Sequence, residues 1–149
     1  MLLKSKDEFL KIFQCISDFK IIGIDYGTVK TGVAVYNSSV NMVLYTHVIK
    51  DFRNNYDEFL NLYRKYKPSG VVVGLPLKKS GKLPDNFQEI NEVCKRLIKE
   101  TELPLYLSDE RYTTALAHVL LKQANKSRLQ RSKVDDQLSA SLILENLFY

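Results

Sequence analysis

The sequence predicts an α/β fold: a mixed five-stranded sheet, an antiparallel three-strand meander plus two parallel strands, with helices on both faces. Three observations predict it. Strand patterns follow one another with no helix between residues 20 and 49, helix and strand patterns alternate from 54 to 107, and two helical patterns finish the chain. Consecutive strands pair as antiparallel neighbours, whereas strand–helix–strand units add parallel strands through crossover helices.

Residues 4–19 place Phe9, Ile12, Phe13 and Ile16 three and four apart, the spacing of one helical face. Lys20-Ile-Ile-Gly-Ile-Asp25 is a short apolar strand ended by the turn-forming Tyr-Gly-Thr. Residues 31–36 and 42–49 are two further strands, and Asn37-Ser-Ser39 suits the hairpin loop between them. Residues 54–66 carry Tyr56, Phe59, Leu60 and Tyr63 on one helical face. Lys67-Pro-Ser-Gly leads into Val71-Val-Val-Gly-Leu75, a continuous apolar run of the kind found in a buried central strand. Residues 85–100 are helical by Phe87, Ile90, Val93, Cys94, Leu97 and Ile98, and a fifth strand at 105–107 runs out into Ser108-Asp109-Glu110-Arg111. Helices at 113–123 and 134–148 follow, joined by a basic loop. This is the layout of the RNase H-like fold. A length of 149 residues fits one such domain, with residues 1–19 as an N-terminal helical extension.

A net charge of +5 favours a polyanionic partner. Cys15 and Cys94 belong to no CxxC or Cys/His cluster, so both are expected to be core thiols in a reducing compartment. No secretory apolar region opens the chain, and no apolar run approaches the roughly 20 residues of a membrane helix. The expected setting is the cytoplasm, away from membranes. His47 and His118 have no partner at ligand spacing, and the tyrosines form no recognisable stacking platform.

Acidic residues stand where apolar ones are expected. Asp25 ends an otherwise apolar strand, where a carboxylate is costly to desolvate unless paired, hydrogen-bonded or metal-bound. The ordinary alternative is a turn-forming aspartate bonded to its own loop. Asp109 and Glu110 end the fifth strand in the same way; successive strand residues face opposite sides, so one of the two can face a site. Asp135 and Asp136 start the last helix, where acids also complement the helix dipole. Asp136 continues through Ala140, Ile143 and Leu147, and Asp135 through Leu138 and Leu142, so periodicity does not choose between them. Hard divalent cations take oxygen ligands, and such a cluster would suit metal-assisted phosphodiester hydrolysis with Mg²⁺ or Mn²⁺.

Four stretches also match a family. Gly23-Ile-Asp-Tyr-Gly-Thr-Val-Lys-Thr-Gly-Val-Ala-Val35, Val73-Gly-Leu-Pro-Leu77, Asp109-Glu-Arg-Tyr-Thr-Thr114 and Asp136-Gln-Leu-Ser-Ala-Ser-Leu-Ile-Leu144 resemble the YqgF, or RuvX, family of Holliday-junction-resolvase-like nucleases. The resemblance runs from about Ile21 to the C-terminus. It implies metal-dependent hydrolysis of nucleic acid, with maturation of the 5′ end of pre-16S rRNA as the usual role. It also implies a catalytic and metal-binding triad of Asp25, Glu110 and Asp136, with Asp109 as a further candidate ligand. The chain departs from the family at Lys78-Lys-Ser-Gly81, where an acid often precedes the glycine. It departs again at Ala115-Leu-Ala117, where a glutamate is common. Neither position belongs to the triad.

Two stretches free of acids, 64–83 and 122–133, read as phosphate-binding surface. The second supplies Lys122, Lys126, Arg128, Arg131 and Lys133, and Thr28, Arg111, Thr113 and Thr114 complete the candidate substrate contacts. The partner is expected to be RNA, precursor ribosomal RNA first, with DNA junctions as the alternative. A monomer or weak homodimer is expected: junction cutting would need paired sites in a dimer, and nothing in the sequence specifies one. Two other readings compete: an actin-like nucleotide-binding ATPase, suggested by Gly23-Ile-Asp-Tyr-Gly-Thr28, and a non-catalytic RNA-binding ribosome-assembly factor.

Overall fold

The computed structural model describes residues 1–111 and 128–148, and for residues 128–137 the backbone alone. Leu2–Leu3 form a short strand, β1, followed by helix α1 (Lys6–Lys11). Ser5 caps α1, its hydroxyl accepting from the Glu8 N–H at 3.2 Å. The meander consists of β2 (Lys20–Asp25), β3 (Lys30–Asn37) and β4 (Met42–Lys50). Helix α2 (Tyr56–Tyr66), β5 (Gly70–Leu75), α3 (Phe87–Thr101) and β6 (Leu105–Asp109) come next. Helix α4 (Arg128–Phe148) ends the described chain.

The sheet order is β1-β6-β5-β2-β3-β4. β2 pairs antiparallel with β3, and β3 with β4; β5 joins β2 in parallel, β6 joins β5, and β1 joins β6. The expected five strands are therefore present and a sixth is added. Two residues carry no readable period, so β1 was invisible in the sequence. It forms because Leu2 and Leu3 align with Leu105 and Tyr106.

The N-terminal helix is shorter than the expected 4–19. Beyond Lys11 the chain tightens into i→i−3 bonds, with the Phe13 N–H donating to Leu10 O at 3.0 Å and the Ile16 N–H to Phe13 O at 3.0 Å. The turn lets Phe13 stack on Phe19, ring centroids 4.9 Å apart. It also leaves Ile12, Cys15 and Ile16 exposed. Cys15 is thus no core thiol. Cys94 is, and burial pushes its thiol up to about 12. The expected 113–123 helix and His118 lie outside the described residues. Helix α4 starts at Arg128, so Arg128, Arg131 and Lys133 belong to the helix and not to a loop. Residues 128–133 include no proline or glycine, so nothing stops the last helix from extending upstream.

Strand alternation builds two cores. Ile22, Ile24, Val33, Val35, Val71 and Val73 face α2 and α3. Ile21, Ala34 and Val72 face the other way, onto Phe9 and Phe13 and onto Ala140, Ile143, Leu144 and Leu147 of α4. Each fully buried aliphatic side chain contributes roughly 1.5–3 kcal/mol. Phe148 stacks on Tyr36 at 3.9 Å, near the start of β2, while Ala140 and Leu144 lie over Gly23. Helix α4 therefore runs antiparallel to β2, its earlier turns heading for the end where Asp25 stands.

The seating of α4 depends on Gly23. A Cβ there would lie 2.8 Å from Leu144 Cγ and 3.1 Å from the Ala140 carbonyl oxygen. We expect Gly23→Ala to destabilise the protein by about 1–3 kcal/mol through overpacking. Chemical denaturation checks this; an unchanged midpoint would show that α4 shifts at no cost.

Among the described residues, no helix is long and apolar enough to cross a membrane.

Candidate active site

Three adjacent strands end together. Ile22 and Ile24 face α2 and α3, so Ile21, Gly23 and Asp25 face α4. Ile24 pairs with Val73, which sets Asp25 level with Gly74 on β5, and Gly74 shares the face of Val72. On β6, Leu105 and Leu107 join the first core while Tyr106 joins the second, so parity sends Ser108 and Glu110 to the α4 side and Asp109 away from it. β5 lies between β2 and β6, and Gly74 lies between Asp25 and Glu110.

The glycine is what makes room. A Cβ on Gly74 would overlap the Glu110 carboxylate, which occupies the space a side chain would fill. The Glu110 N–H donates to Leu75 O at 3.1 Å, holding the residue just past the end of β6. There, burial and then the charges of Asp25 and Asp109 push the Glu110 carboxyl up to about 9. In the metal-free protein it is protonated at neutral pH.

Asp109 is engaged elsewhere. Arg111 Nη2 lies 2.7 Å from Asp109 Oδ2, Arg111 Nε donates to the same oxygen at 2.9 Å, and the Arg111 N–H donates to Oδ1 at 3.0 Å. The guanidinium holds this carboxyl below the usual carboxylate range. Of the two neighbouring acids, Asp109 is tied to Arg111 and Glu110 faces Asp25.

Position 136 lies one turn before Ala140 on α4, toward the Asp25 end of β2; the side chains of Asp135 and Asp136 lie outside the described residues. So do those of Arg128, Arg131 and Lys133, and all of Lys122, Lys126, Thr113 and Thr114. Thr28 is exposed in the turn after Asp25. Among the described residues, no three His, Cys, Asp or Glu side chains form a ready metal cluster; the two brought together are Asp25 and Glu110. His47 is elsewhere, with Nε2 3.2 Å from Glu58 Oε2.

The sequence pattern misses the role of Gly74 and the division of one basic stretch. Gly74 is read as one residue of an apolar run, and only its neighbours across the sheet reveal its role. The acid-free stretch 64–83 also divides: Arg64, Lys65 and Lys67 precede β5, whereas Lys78, Lys79 and Lys82 follow its site end. Lys78 is bound to Asp85 at 2.9 Å, Lys79 and Lys82 are exposed, and Gly81 approaches Arg111.

A family model described as RuvX, Holliday junction resolvase, matches residues 19–149. The chain belongs to the RuvX family. A relative from Rickettsia africae, named "Putative pre-16S rRNA nuclease", is 34% identical over 149 residues, covering 99% of this chain and 96% of its own. One from Rickettsia canadensis with the same name is 36% identical over the same span. Both alignments take in the N-terminal segment that the family motifs leave out. Among solved structures, Thermus thermophilus RuvC bound to a Holliday junction superposes with a TM-score of 0.51 at 15% identity, over 84% of this chain and 91% of that one. The fowlpox virus Holliday junction resolvase gives 0.52 at 15% identity, over 87% and 96%. The RuvX-family chain has the RNase H-like fold.

Proposed function

We propose that this RuvX-family protein is a metal-dependent nuclease whose Asp25, Glu110 and Asp136 hold Mg²⁺ or Mn²⁺, and that it processes the 5′ end of pre-16S rRNA in the cytoplasm. One observation carries the reading: a half-buried glutamate occupies the space above a strand glycine and faces an aspartate from a second strand. Ionised together, two carboxyl groups so placed would repel each other and lose solvation, which is why Glu110 keeps its proton without a cation. A divalent cation reverses both penalties, and an all-oxygen donor set suits Mg²⁺ or Mn²⁺. When bound, the cation supplies a nucleophile at neutral pH and stabilises developing charge on phosphate oxygens.

The protein's own residues do the rest. Gly74 keeps the strand ends open to Glu110, and the Leu75 carbonyl fixes the Glu110 backbone. Arg111 neutralises Asp109, which limits the negative charge an incoming phosphate meets. Lys79 and Lys82 offer cations at the same end of the sheet, and Thr28, Thr113, Thr114, Lys122, Lys126, Arg128, Arg131 and Lys133 are the further substrate contacts of this reading. The names of the Rickettsia relatives support ribosomal RNA as substrate. The family's description supports a second reading, resolution of DNA junctions, which requires two copies with paired sites.

The test is cleavage of precursor rRNA, single-stranded RNA and four-way DNA junctions, with and without Mg²⁺ or Mn²⁺, beside Asp25→Asn. We expect metal-dependent cutting of the RNA and a loss of at least about 100-fold in the variant. Cutting that survives either the substitution or chelation would overturn the proposal.

A further inference from the structure

Away from the strand ends, the chain assembles an aromatic and basic surface from β4 and α2. The Tyr45 and Tyr66 ring centroids lie 5.4 Å apart, and the His47 ring stacks beside Tyr45 at 6.1 Å. Lys65 Nζ stands 5.8 Å from the Tyr45 ring and 5.3 Å from the Tyr66 ring. Residues of β4 and α2, about 20 positions apart in sequence, thus come together in one aromatic and basic cluster.

We propose that Tyr45, Tyr66 and Lys65 form a second contact for single-stranded nucleic acid, outside the cutting site. The proposal rests on the nuclease reading for its biological sense and on this patch for its physics. Aromatic faces stack bases of any sequence, while adjacent cations hold the backbone. Both rings are half-buried, so little ordering cost remains to be met on binding. Lys65 has no acidic partner among the described residues, and exposed Arg64 and Lys67 flank it. Glu58, the acid at the edge of the patch, lies 3.2 Å from His47 Nε2 and is outnumbered by three cations, Arg64, Lys65 and Lys67, in the same stretch of chain. Charge therefore favours a polyanion over an acidic or neutral protein surface.

The placement suits a strand that passes both sites. Tyr45 pairs with Val35, which pairs with Ile22, three residues before Asp25. The patch is thus displaced about 10 Å along the strands and about 10 Å across them from Asp25, on the opposite face of the sheet. A bound strand must run a few nucleotides around the β4 edge to reach the cutting site. Short fragments would reach one site or the other, and longer ones both.

The experiment measures binding of fluorescein-labelled oligouridine of about 12 nucleotides by anisotropy in EDTA, a length within the usual range for single-strand sites. Lys65→Gln and Tyr66→Leu are compared alone and together with the unmodified protein. Leucine retains bulk against the core, and Lys65→Gln changes only an exposed side chain. We expect about tenfold weaker binding in the double variant. Lys65→Gln should lower the slope of log K against log salt by about 0.7. Tyr66→Leu should weaken single-stranded RNA and leave duplex RNA of equal length unaffected. Unchanged affinity, equal losses on duplex and single strand, or binding of the unmodified protein to anionic phosphatidylglycerol vesicles but not to the oligonucleotide would each overturn the proposal. Binding that depends on this patch without cutting in Mg²⁺ would sink the nuclease reading alone; cutting with no effect of the variants would sink the patch alone.

Discussion

Replacing Glu110 with glutamine is expected to abolish cleavage and, at the same time, to stabilise the metal-free protein. Burial and the charge of Asp25 raise the Glu110 carboxyl from 4.5 to about 9. The folded chain therefore holds a proton that the unfolded chain releases between those values. An acid raised on folding costs nothing below its unfolded pKa, and its ionisation opposes folding increasingly as pH rises toward the folded value. Stability lost through Glu110 thus accumulates from about pH 4.5 to about pH 9, with a limiting slope of about 1.4 kcal/mol per pH unit. Glutamine has similar shape and no charge to lose. At pH 8 in EDTA, Glu110→Gln should be the more stable protein by up to about 5 kcal/mol, seen as a clearly raised Tm, and at pH 4 the two proteins should agree. Paired thermal melts across this range check it. Cleavage by the same variant should fall by at least about 100-fold, because glutamine cannot replace a carboxylate toward a hard cation. A variant that is less stable at every pH would show that Glu110 is tied down by favourable bonds and not held under strain.

The second large effect comes from a residue with no side chain. Gly74→Ala adds one methyl group where the Glu110 carboxylate rests. Gly74 does not have a positive φ, so alanine is compatible with the backbone and the consequence is steric. Glu110 must swing toward solvent, away from Asp25. We expect Mn²⁺ affinity and cleavage to fall by about 10–100-fold while the fold is kept, since an exposed carboxylate regains water and leaves the ligand set incomplete. A solvated Glu110 also returns toward its ordinary pKa, so the pH-dependent instability predicted for the parent should flatten. Mn²⁺ titration calorimetry and melts at pH 5 and pH 8 test both halves. Full activity in Gly74→Ala would mean that Glu110 acts from another position.

Much of this architecture was legible. Ile21, Ile22 and Ile24 make a short apolar run, broken once by Gly23, that ends on Asp25, and Val71, Val72 and Val73 read as a buried strand because both faces of β5 are covered. Helices α2 and α3 were visible through the spacing of Phe59, Ile90 and Leu97, each fully buried. The misreadings fall where local pattern is weak. The period of Phe9, Ile12, Phe13 and Ile16 suggested a longer helix, but the stacking of Phe13 on Phe19 ends it in a turn. The acidic pair Asp109 and Glu110 was ambiguous by alternation alone, because one sequence position separates them and either could face the cluster.

The sequence by itself determined the order of elements, the family motifs and the candidate acids, since periodicity and motif spacing are properties of neighbouring residues. Tertiary structure alone decided how those acids differ. Asp109 turns to Arg111, and Glu110 settles over Gly74 against Asp25, because β2, β5 and β6 lie side by side in parallel. It also split the basic stretch 64–83 between the two ends of β5 and gathered Tyr45, Tyr66 and Lys65 onto one surface. The physical reason is the same in each case. Desolvation, repulsion and ring contacts depend on distances across the sheet, and a linear pattern does not contain them.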